Sequence, residues 1–402
     1  MTAAYDVGGI LLERPFFVRR LGHFHYLSTR VKESLEFYTK LLGFQITDTV
    51  DLSPRIKDNE LLAKMGDPHL YFTRYGHDHH AFVLSSDRIY EVRGATRPPQ
   101  MTVGQITWQV GSLEEVVNGH RWIDKQGLVS FRTGRDTPGS NWASYFHDPD
   151  GHANEIYYGI EQIGWDGRSK PPAFHRGFMA APELPQIPEA LEVQQAVDRG
   201  DDPAAGRSSL EQGPFDYAVG GIKLNRPFKI TSIGPVRLMV RDMKKALHFY
   251  RDKVGLRITE EVVWQGHRCF FLRASTEHHS MALYPEAVGK ILDLSPHSLC
   301  LSFGLRVNDY RQLKDAVRFL KDNNVQVREL PPELSPGIDY SAYAVDPDGH
   351  LVQLYYYMEQ VGWDGRPRSP AERRKTSPGV WPEALEPLSD TYGGEQFTGP
   401  WA

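Results

Sequence analysis

Cysteine is scarce in this chain. Only Cys269 and Cys300 occur among 402 residues, which excludes a framework of disulfide bonds. Long hydrophobic runs are missing too, since no apolar stretch approaches the roughly 20 residues that a membrane-spanning helix needs. The first residues carry neither the basic nor the apolar region of a secretory signal peptide. We therefore expect a cytoplasmic protein that does not bind membranes.

Positive charge is also in short supply. The 46 lysines and arginines are outnumbered by 51 acidic residues, giving a formal net charge of −5, and they form no basic cluster. A nucleic-acid partner is therefore not expected. Hydrophobic residues at 40% and charged residues at 24% are typical of folded globular chains. The length exceeds one ordinary hydrophobic core and predicts two or three domains.

An internal repeat is the first positive feature. VGGI at 7–10 recurs at 219–222, an offset of 212 (219 − 7). DPDGH at 148–152 recurs at 346–350, an offset of 198 (346 − 148). GWDGR at 164–168 recurs at 362–366, again at an offset of 198 (362 − 164). Such long shared strings indicate a duplication whose second copy is shorter by about 14 residues, the difference between the two offsets.

The duplication predicts the domain organisation. A breaker cluster at 201–206 is typical of a linker, and PEALE at 188–192 suggests one short helix within the linker. The same string recurs at 382–386, at the end of the second copy. The predicted parts are a first domain at 1–168, a linker arm at 169–215, a second domain at 216–366 and a C-terminal arm at 367–402.

Hydrophobic periodicity predicts an α+β fold in which each copy holds two βαβββ modules. In the first copy the expected helices are 34–42 and 113–126, and the expected strands are 21–28, 44–50, 80–84, 101–110, 129–133, 143–147 and 153–158. The second copy repeats the pattern from residues 232 and 298, with helices at 243–254 and 310–323.

Two stretches resemble a known family. LGHFHYLSTRVKESLEFYTKLLGF at 21–44 and SYFHDPDGHANEIYYG at 144–159 are similar to the vicinal-oxygen-chelate superfamily of glyoxalases, bleomycin-resistance proteins and dioxygenases. Within it they look most like type I extradiol ring-cleaving dioxygenases. The resemblance covers 21–159 well and 233–357 more loosely. It implies a tandem pair of domains, each with two modules that form an open barrel around a metal.

The resemblance also implies metal ligands. Carried over by position, they are His23 on the first strand, Glu155 on the closing strand and, between them, Gln105, where the family has a histidine. An amide is a poorer donor than imidazole. His25 could supply the third ligand instead of Gln105, because it lies on the same strand face as His23, about 6.6 Å along the strand. The other possibility is that Gln105 itself is the third ligand, since glyoxalase-type members can use glutamine. A hydrogen-bonded pair of His23 and Glu155 without metal is the structural alternative.

Further roles follow from the same resemblance. His80 lines up with an acid/base histidine and Tyr145 with a substrate-contacting tyrosine, and the expected substrate-binding residues are Thr107, Asn141 and Trp142. A second family histidine near the substrate falls on Ser140 or Asn141 and is missing. We expect His77 and His79 in an exposed turn.

The second copy acts as an internal control. It has Pro235, Ser302 and Gln353 at the three ligand positions, so we expect it to be inactive. His279 and Tyr343 remain at the positions of His80 and Tyr145. The DPDGH strings occur in both copies, and tight turns explain them without metal chemistry.

The resemblance implies an extradiol dioxygenase that acts on a catecholic aromatic compound and O2. The expected cofactor is Fe(II), with Mn(II), Zn(II) or Ni(II) as alternatives. Superfamily members often self-associate, so we expect a homo-oligomer. Two other functions stay open: a glyoxalase-like or epimerase-like lyase or isomerase, which Gln105 favours, and a non-catalytic protein that binds an aromatic ligand.

Overall fold

A computed structural model describes residues 4–128, 130–362 and 364–385. Contacts divide the chain into two compact units. One comprises 1–27, 45–96 and 103–211, and the other 28–44, 97–102 and 212–402. Residues 28–44 and 97–102 thus group with the second unit, although the repeat assigns them to the first copy. The domain limits at 168, 215 and 366 stay predictions.

The strands of the first copy form a hairpin and one mixed sheet. The hairpin pairs β1 with β2, and the sheet has the order β4-β5-β6-β3-β7-β10-β9-β8. Each module supplies four adjacent strands, and the first strands of the two modules, β3 and β7, meet at the centre. The strands are β1 Tyr5–Val7, β2 Ile10–Leu12, β3 Arg20–Ser28, β4 Gln45–Asp51, β5 His69–Arg74, β6 Phe82–Ser86, β7 Val103–Gln109, β8 Arg132–Arg135, β9 Trp142–His147 and β10 Ala153–Tyr158.

Helices connect these strands. The helices are α1 Val31–Glu36, which continues as a π-helical turn at Phe37–Leu41, α2 Asn59–Met65, α3 Ile89–Val92, α4 Leu113–Lys125 and, in the linker, α5 Glu189–Asp198. The hydroxyl of Ser112 caps α4 by accepting a hydrogen bond from the Glu115 amide. Val116 and Ile123 on this helix are buried. The residues that the periodicity marks as apolar therefore hold α4 in the core.

The second copy repeats the arrangement with the sheet order β14-β15-β16-β13-β17-β20-β19-β18 and the hairpin β11-β12. The strands are β11 Tyr217–Val219, β12 Ile222–Leu224, β13 Ile230–Val240, β14 Arg257–Trp264, β15 His267–Arg273, β16 Met281–Pro285, β17 Cys300–Val307, β18 Val327–Arg328, β19 Ser341–Val345 and β20 Leu351–Tyr355. The helices are α6 Met243–Leu247, which continues as a π-helical turn at His248–Val254, α7 Glu286–Ile291 and α8 Tyr310–Asp322.

The predicted fold class is confirmed. Both copies are α+β, with two four-stranded modules joined in one mixed sheet. In the first copy, the prediction missed the hairpin β1-β2, strand β5 and helices α2 and α3. The strand expected at 129–133 is observed as Arg132–Arg135, and residue 129 lies outside the described residues.

The short helix predicted in the linker is confirmed. Helix α5 contains the first PEALE string. The second string is not helical over 382–385, and its last residue and the rest of the C-terminal arm lie outside the described residues. Among the residues described, no helix is long and apolar enough to cross a membrane.

Candidate metal centre

Three adjacent central strands carry the candidate donors. His23 lies on β3, Gln105 on β7 and Glu155 on β10. The Nε2 atom of His23 lies 3.3 Å from Oε2 of Glu155 and 3.0 Å from Nε2 of Gln105. The Gln105 amide also donates a hydrogen bond to Oε2 of Glu155. The three polar groups therefore converge on one point inside the first unit.

These spacings fit a small cation. Two ligand atoms that each lie about 2.1 Å from an ion, at a right angle to one another, are about 3 Å apart. The His23–Glu155 and His23–Gln105 separations are of that size. The Glu155 carboxylate is fully buried, and burying a carboxylate is unfavourable unless a cation or hydrogen bonds compensate it. The donor types suit Fe(II), Mn(II) or Zn(II), because an amide side chain can also present its oxygen.

The geometry distinguishes the two alternatives for the third donor. Gln105 contacts both His23 and Glu155. The Nε2 atom of His25 instead lies 2.9 Å from Oγ of Ser85. Burial lowers the pKa of His25 to about 3, so its ring is neutral near pH 7. Gln105 is therefore the residue that lies beside the other two donors.

Thr107 holds the strand that carries His23. Its hydroxyl accepts a hydrogen bond from the His23 backbone amide at 2.5 Å and donates one to the His23 carbonyl at 2.8 Å. The pairing of β3 with β7 shifts register between Leu21 and Phe24, so the side chain replaces regular backbone pairing there. Thr107 is fully buried. Its contacts position His23, and its expected role in substrate binding stays a prediction.

Asn141 lies just before β9 and contacts Glu155 directly. Its Nδ2 atom donates a hydrogen bond of 2.8 Å to Oε1 of Glu155, so Asn141 orients the carboxylate. Trp142 is buried and stacks on Phe178 with ring centroids 5.3 Å apart. The neighbouring Ser140 lines a cavity of about 480 Å³ whose lining includes none of the candidate donors.

His80 lies next to the donor set. Its ring centroid is 4.3 Å from that of His23, in an edge-to-face arrangement. Burial lowers the pKa of His80 well below the usual value for histidine, and the nearby His23 and His79 act in the same direction. A Cβ atom on Gly139 would lie 3.1 Å from the His80 ring, and the φ angle of Gly139 is +99°. Only glycine therefore allows this loop to cover the ring without strain.

The prediction for His79 is wrong. His77 is exposed as expected, but His79 is fully buried. Its Nδ1 atom lies 3.0 Å from Nδ1 of His80, and its Nε2 atom lies 2.8 Å from Oδ2 of Asp48. Exposure was expected from the polar run around it, but Asp48 provides a polar partner that makes burial possible.

Tyr145 belongs to a charged network that the sequence did not reveal. It pairs with Glu155 across β9 and β10, and its hydroxyl donates a hydrogen bond to Asp136. The Arg132 guanidinium forms an ion pair with Asp136 and lies over the Tyr145 ring, 5.0 Å from its centroid. Burial raises the pKa of Tyr145 well above its usual value, and Asp136 adds to the effect. The phenol therefore stays protonated and remains a hydrogen-bond donor.

Arginine occupies the corresponding interior of the second copy. Arg237, at the position of His25, is fully buried. Its guanidinium donates hydrogen bonds to the Tyr343 hydroxyl at 2.8 Å and to the Ser335 hydroxyl at 2.7 Å. Gln353, at the position of Glu155, donates to the same Tyr343 hydroxyl at 3.1 Å. A fixed positive charge thus lies in the part of the second copy that corresponds to the position of His23, Gln105 and Glu155 in the first.

The DPDGH strings are turns. In the first copy, one Asp148 oxygen accepts a hydrogen bond from the His152 amide at 2.8 Å, and the other contacts the His152 ring. Asp346 and His350 repeat these contacts. Asp346, Asp348 and His350 are close enough to surround an ion, but backbone and side-chain donors already bind the two carboxylates. Their geometry needs no metal.

Comparisons with known proteins agree with the fold. The chain is 22% identical to a metapyrocatechase from Geobacillus stearothermophilus over 401 residues, which covers 97% of this chain and 94% of the relative. A solved structure of a catechol 2,3-dioxygenase matches with a TM-score of 0.53 at 15% identity, covering 94% of this chain and 97% of the other. The Mn(II)-bound glyoxalase from Novosphingobium aromaticivorans matches with a TM-score of 0.54 at 13% identity, covering 91% and 97%.

The two structural matches differ in activity and are equally similar, so they identify the fold alone. A family model matches both copies, at residues 20–156 and 232–354. These ranges cover more than half of the chain and coincide with the two eight-stranded sheets. The chain belongs to the Glyoxalase/Bleomycin resistance protein/Dioxygenase superfamily.

Proposed function

We propose that this protein is a metal-dependent extradiol-type dioxygenase that opens the ring of a catecholic aromatic compound with O2. The observation that carries the proposal is the convergence of His23, Gln105 and Glu155 in the first copy. The metapyrocatechase relative, which aligns over nearly the whole chain, supports a dioxygenase. Both atoms of O2 enter the product of such a reaction, so no external reductant is needed.

His23, Gln105 and Glu155 would hold the metal, for which we propose Fe(II), with Mn(II), Zn(II) or Ni(II) as alternatives. When bound, the ion supplies open coordination positions for the substrate oxygens and O2 and lowers the pKa of a substrate hydroxyl. Asn141 keeps the Glu155 carboxylate in position through its hydrogen bond. Thr107 holds the backbone of His23 in position through two hydrogen bonds of its hydroxyl group.

His80 is the proposed acid/base residue. Its ring is buried beside His23, and the low pKa that burial imposes keeps it neutral near pH 7, so it can accept a proton. Tyr145 remains protonated because burial raises its pKa. We propose that it donates a hydrogen bond toward the substrate once Asp136 releases it. The packed side chains exclude water from these groups, which strengthens their electrostatic interactions.

A glyoxalase-like or epimerase-like reaction is the second candidate. It is favoured by an amide rather than an imidazole among the candidate donors. For that reaction a bound metal would supply Lewis-acid chemistry, and a carboxylate would move the proton. Non-catalytic binding of an aromatic ligand is the third candidate. Self-association and a cytoplasmic location stay predictions.

One experiment separates the candidates. The protein is loaded anaerobically with Fe(II), and O2 uptake is measured with a panel of catechols. Stoichiometric O2 consumption with a yellow ring-opened product supports the dioxygenase. Turnover of an α-hydroxycarbonyl substrate with Zn(II) or Ni(II) and without O2 uptake supports the second candidate. Saturable catechol binding without turnover supports the third.

A further inference from the structure

The interior of the second copy contains one fully buried arginine. Arg237 lies on β13, and its guanidinium donates hydrogen bonds to the hydroxyls of Tyr343 and Ser335. The same group lies over the Tyr343 ring, 5.9 Å from its centroid. Arginine is not deprotonated in proteins, so this interior holds a permanent positive charge.

No carboxylate balances this charge among the described residues. The acceptors of its two hydrogen bonds are hydroxyl oxygens, and none of the ion pairs within the described part of the chain includes Arg237. The carboxylates of Glu260 and Glu359 pair instead with Arg373, at 2.7 and 2.8 Å. A buried charge is unfavourable unless an opposite charge or sufficient hydrogen bonds compensate it. The described side chains of the second copy therefore do not supply a counter-charge for Arg237.

Polar atoms without a hydrogen-bond partner surround the same point. Among the described residues, Nε of Arg237, Oγ of Ser302 and Oε1 of Gln353 are buried and have no partner. Solvent reaches none of these three side chains. Buried polar atoms in folded proteins nearly always have a partner, and an exception needs an explanation. Three such atoms beside an unbalanced charge indicate a bound ligand.

Strand pairing brings the three side chains together. Arg237 on β13 lies directly opposite Ser302 on β17, and Gln353 on β20 lies directly opposite Tyr343 on β19. Directly opposite residues of antiparallel strands share a face of the sheet, with Cβ atoms about 5 Å apart. The Tyr343 hydroxyl connects the two pairs, because it accepts hydrogen bonds from Arg237 at 2.8 Å and from Gln353 at 3.1 Å.

The corresponding positions in the first copy have the opposite charge. His25 is the counterpart of Arg237 at the offset of 212 (237 − 25), and Glu155 is the counterpart of Gln353 at the offset of 198 (353 − 155). A neutral imidazole in the first copy is thus a guanidinium in the second, and a carboxylate is an amide. The buried carboxylate of the first copy is compensated best by a cation. The buried guanidinium of the second is compensated best by an anion.

We propose that the second copy binds one small monovalent anion, a halide such as chloride or the carboxylate end of a ligand, between Arg237, Ser302 and Gln353. Nε of Arg237 and the Ser302 hydroxyl donate hydrogen bonds to it. The Gln353 amide donates as well when it rotates by 180°, since its oxygen then accepts from the Tyr343 hydroxyl. A water molecule could fill the same hydrogen bonds, but only an anion also balances the charge of the guanidinium.

Enclosure limits the occupant further. Because the three side chains are fully buried, the anion must shed its water, and this costs far more for the multiply charged sulfate or phosphate than for a monovalent ion. An ion that binds the folded chain and not the unfolded chain stabilises the fold. The inference concerns the second copy alone and does not depend on the proposed function of the first.

Thermal unfolding of the full-length chain in different salts tests the proposal. The protein is dialysed into sodium gluconate, whose anion is too large for an enclosed site, and sodium chloride or sodium formate then replaces the gluconate at constant ionic strength. At ten times its Kd, the bound anion should raise the melting temperature by about 3 °C. A larger rise with chloride identifies a halide site, and a larger rise with formate identifies a carboxylate site. Equal melting temperatures in the three salts would overturn the inference.

Variants connect the salt effect to the proposed residues. Arg237→Met removes the buried charge and should abolish the difference between the salts. The matched control, Arg268→Met, removes an exposed arginine of the same copy that pairs with Glu261, and it should keep the difference. Ser302→Ala removes one donor with little change in volume, so it serves even where Arg237→Met does not fold. We expect it to weaken chloride binding, measured by ³⁵Cl line broadening, about tenfold or more. Wild-type chloride affinity in Ser302→Ala would contradict the proposed site.

The position of the ion has a direct readout. Crystals of the full-length chain grown with bromide in place of chloride should show an anomalous peak within hydrogen-bond distance of Nε of Arg237. Bromide bound only at surface residues, with water beside Arg237, would overturn the inference. None of these measurements needs added metal or substrate, so their results are independent of whether the first copy is active.

Discussion

The Nε2 atom of His23 lies 3.3 Å from Oε2 of Glu155, and both side chains are buried. Strand β7 lies between the strands that carry them and adds Gln105 to the same point. A buried imidazole beside a buried carboxylate is either a hydrogen-bonded pair or part of a cation site. The amide nitrogen of Gln105 lies within hydrogen-bond distance of both groups, and variants of the surrounding residues separate the two cases.

The identity of the third metal ligand can be tested by substituting each of the two candidate residues. Gln105→His should raise Fe(II) affinity about tenfold or more, because imidazole is a stronger donor than a neutral amide. His25→Gln should leave the affinity unchanged, since the His25 ring is engaged with Ser85. Competition with a coloured chelator measures both affinities. If His25→Gln lost its iron while Gln105→His behaved as the wild type, His25 would be the third donor.

Asn141 should act on metal affinity through Glu155. Asn141→Ala removes the hydrogen bond to Oε1 of the carboxylate, and loss of such a supporting contact typically weakens metal binding by about 10- to 100-fold. The matched control is Asp339→Asn, the counterpart in the second copy at the offset of 198 (339 − 141). We expect this control to bind metal as the wild type does. Equal affinities for Asn141→Ala and the wild type would contradict the positioning role.

The second copy should resist conversion into a metal site while Arg237 is present. The triple variant Pro235→His, Ser302→Gln and Gln353→Glu reproduces the donor types of the first copy. We expect it to bind no second ion, because the Arg237 guanidinium lies buried beside Tyr343 and Ser335 and repels one. Adding Arg237→Leu should raise the content to about two ions per chain.

Metal analysis by mass spectrometry reads the result for both variants, and circular dichroism verifies that each one folds. A second ion already bound by the triple variant would show that the arginine does not block the site.

Burial of His175 should make folding sensitive to acid. Its pKa falls from an unfolded value near 6.5 to about 4 in the folded protein. Above pH 6.5 both states are neutral and the folded state keeps its full stability. Between pH 6.5 and 4 only the unfolded chain takes up this proton, so the free energy of unfolding decreases as pH falls. Across this pH range His175 lowers the free energy of unfolding by on the order of 2 kcal/mol.

Urea unfolding of the wild type and His175→Asn across this pH range measures the effect. The variant should have a smaller slope of stability against pH. Identical slopes would show that His175 does not titrate differently in the folded and unfolded states.

The family resemblance is what assigns His23, Gln105 and Glu155 as candidate donors. It assigns each of them to one strand of the module, and these strands are neighbours in the sheet, so the three side chains lie together. The internal repeat added a second check, since it showed the same strands without the donors in the other copy. The pattern does not predict strand β5, because His69–Arg74 mixes polar and apolar residues and most of its residues are only partly buried.

The supporting residues could not be predicted from pattern alone. Asp136 and Arg132 gain their importance from contacts with Tyr145 across β8 and β9. His79 can be buried because its ring contacts the carboxylate of Asp48, a residue 31 positions away in the chain. The hydroxyl of Thr107 is used by the His23 backbone because the strand pairing shifts there, and alternation does not predict such a shift. A local shift in strand pairing, or a contact with a residue far away in the chain, leaves no periodic pattern in the sequence.

The central claim is that one metal ion is bound in the first copy through His23 and Glu155. The most direct test is the iron content per chain of anaerobically loaded wild type, Glu155→Gln and, as the matched control, Gln353→Ala in the second copy. We expect about one ion per chain in the wild type and the control, and none in Glu155→Gln, whose circular dichroism should be unchanged. Iron retained at one ion per chain by Glu155→Gln would contradict the account.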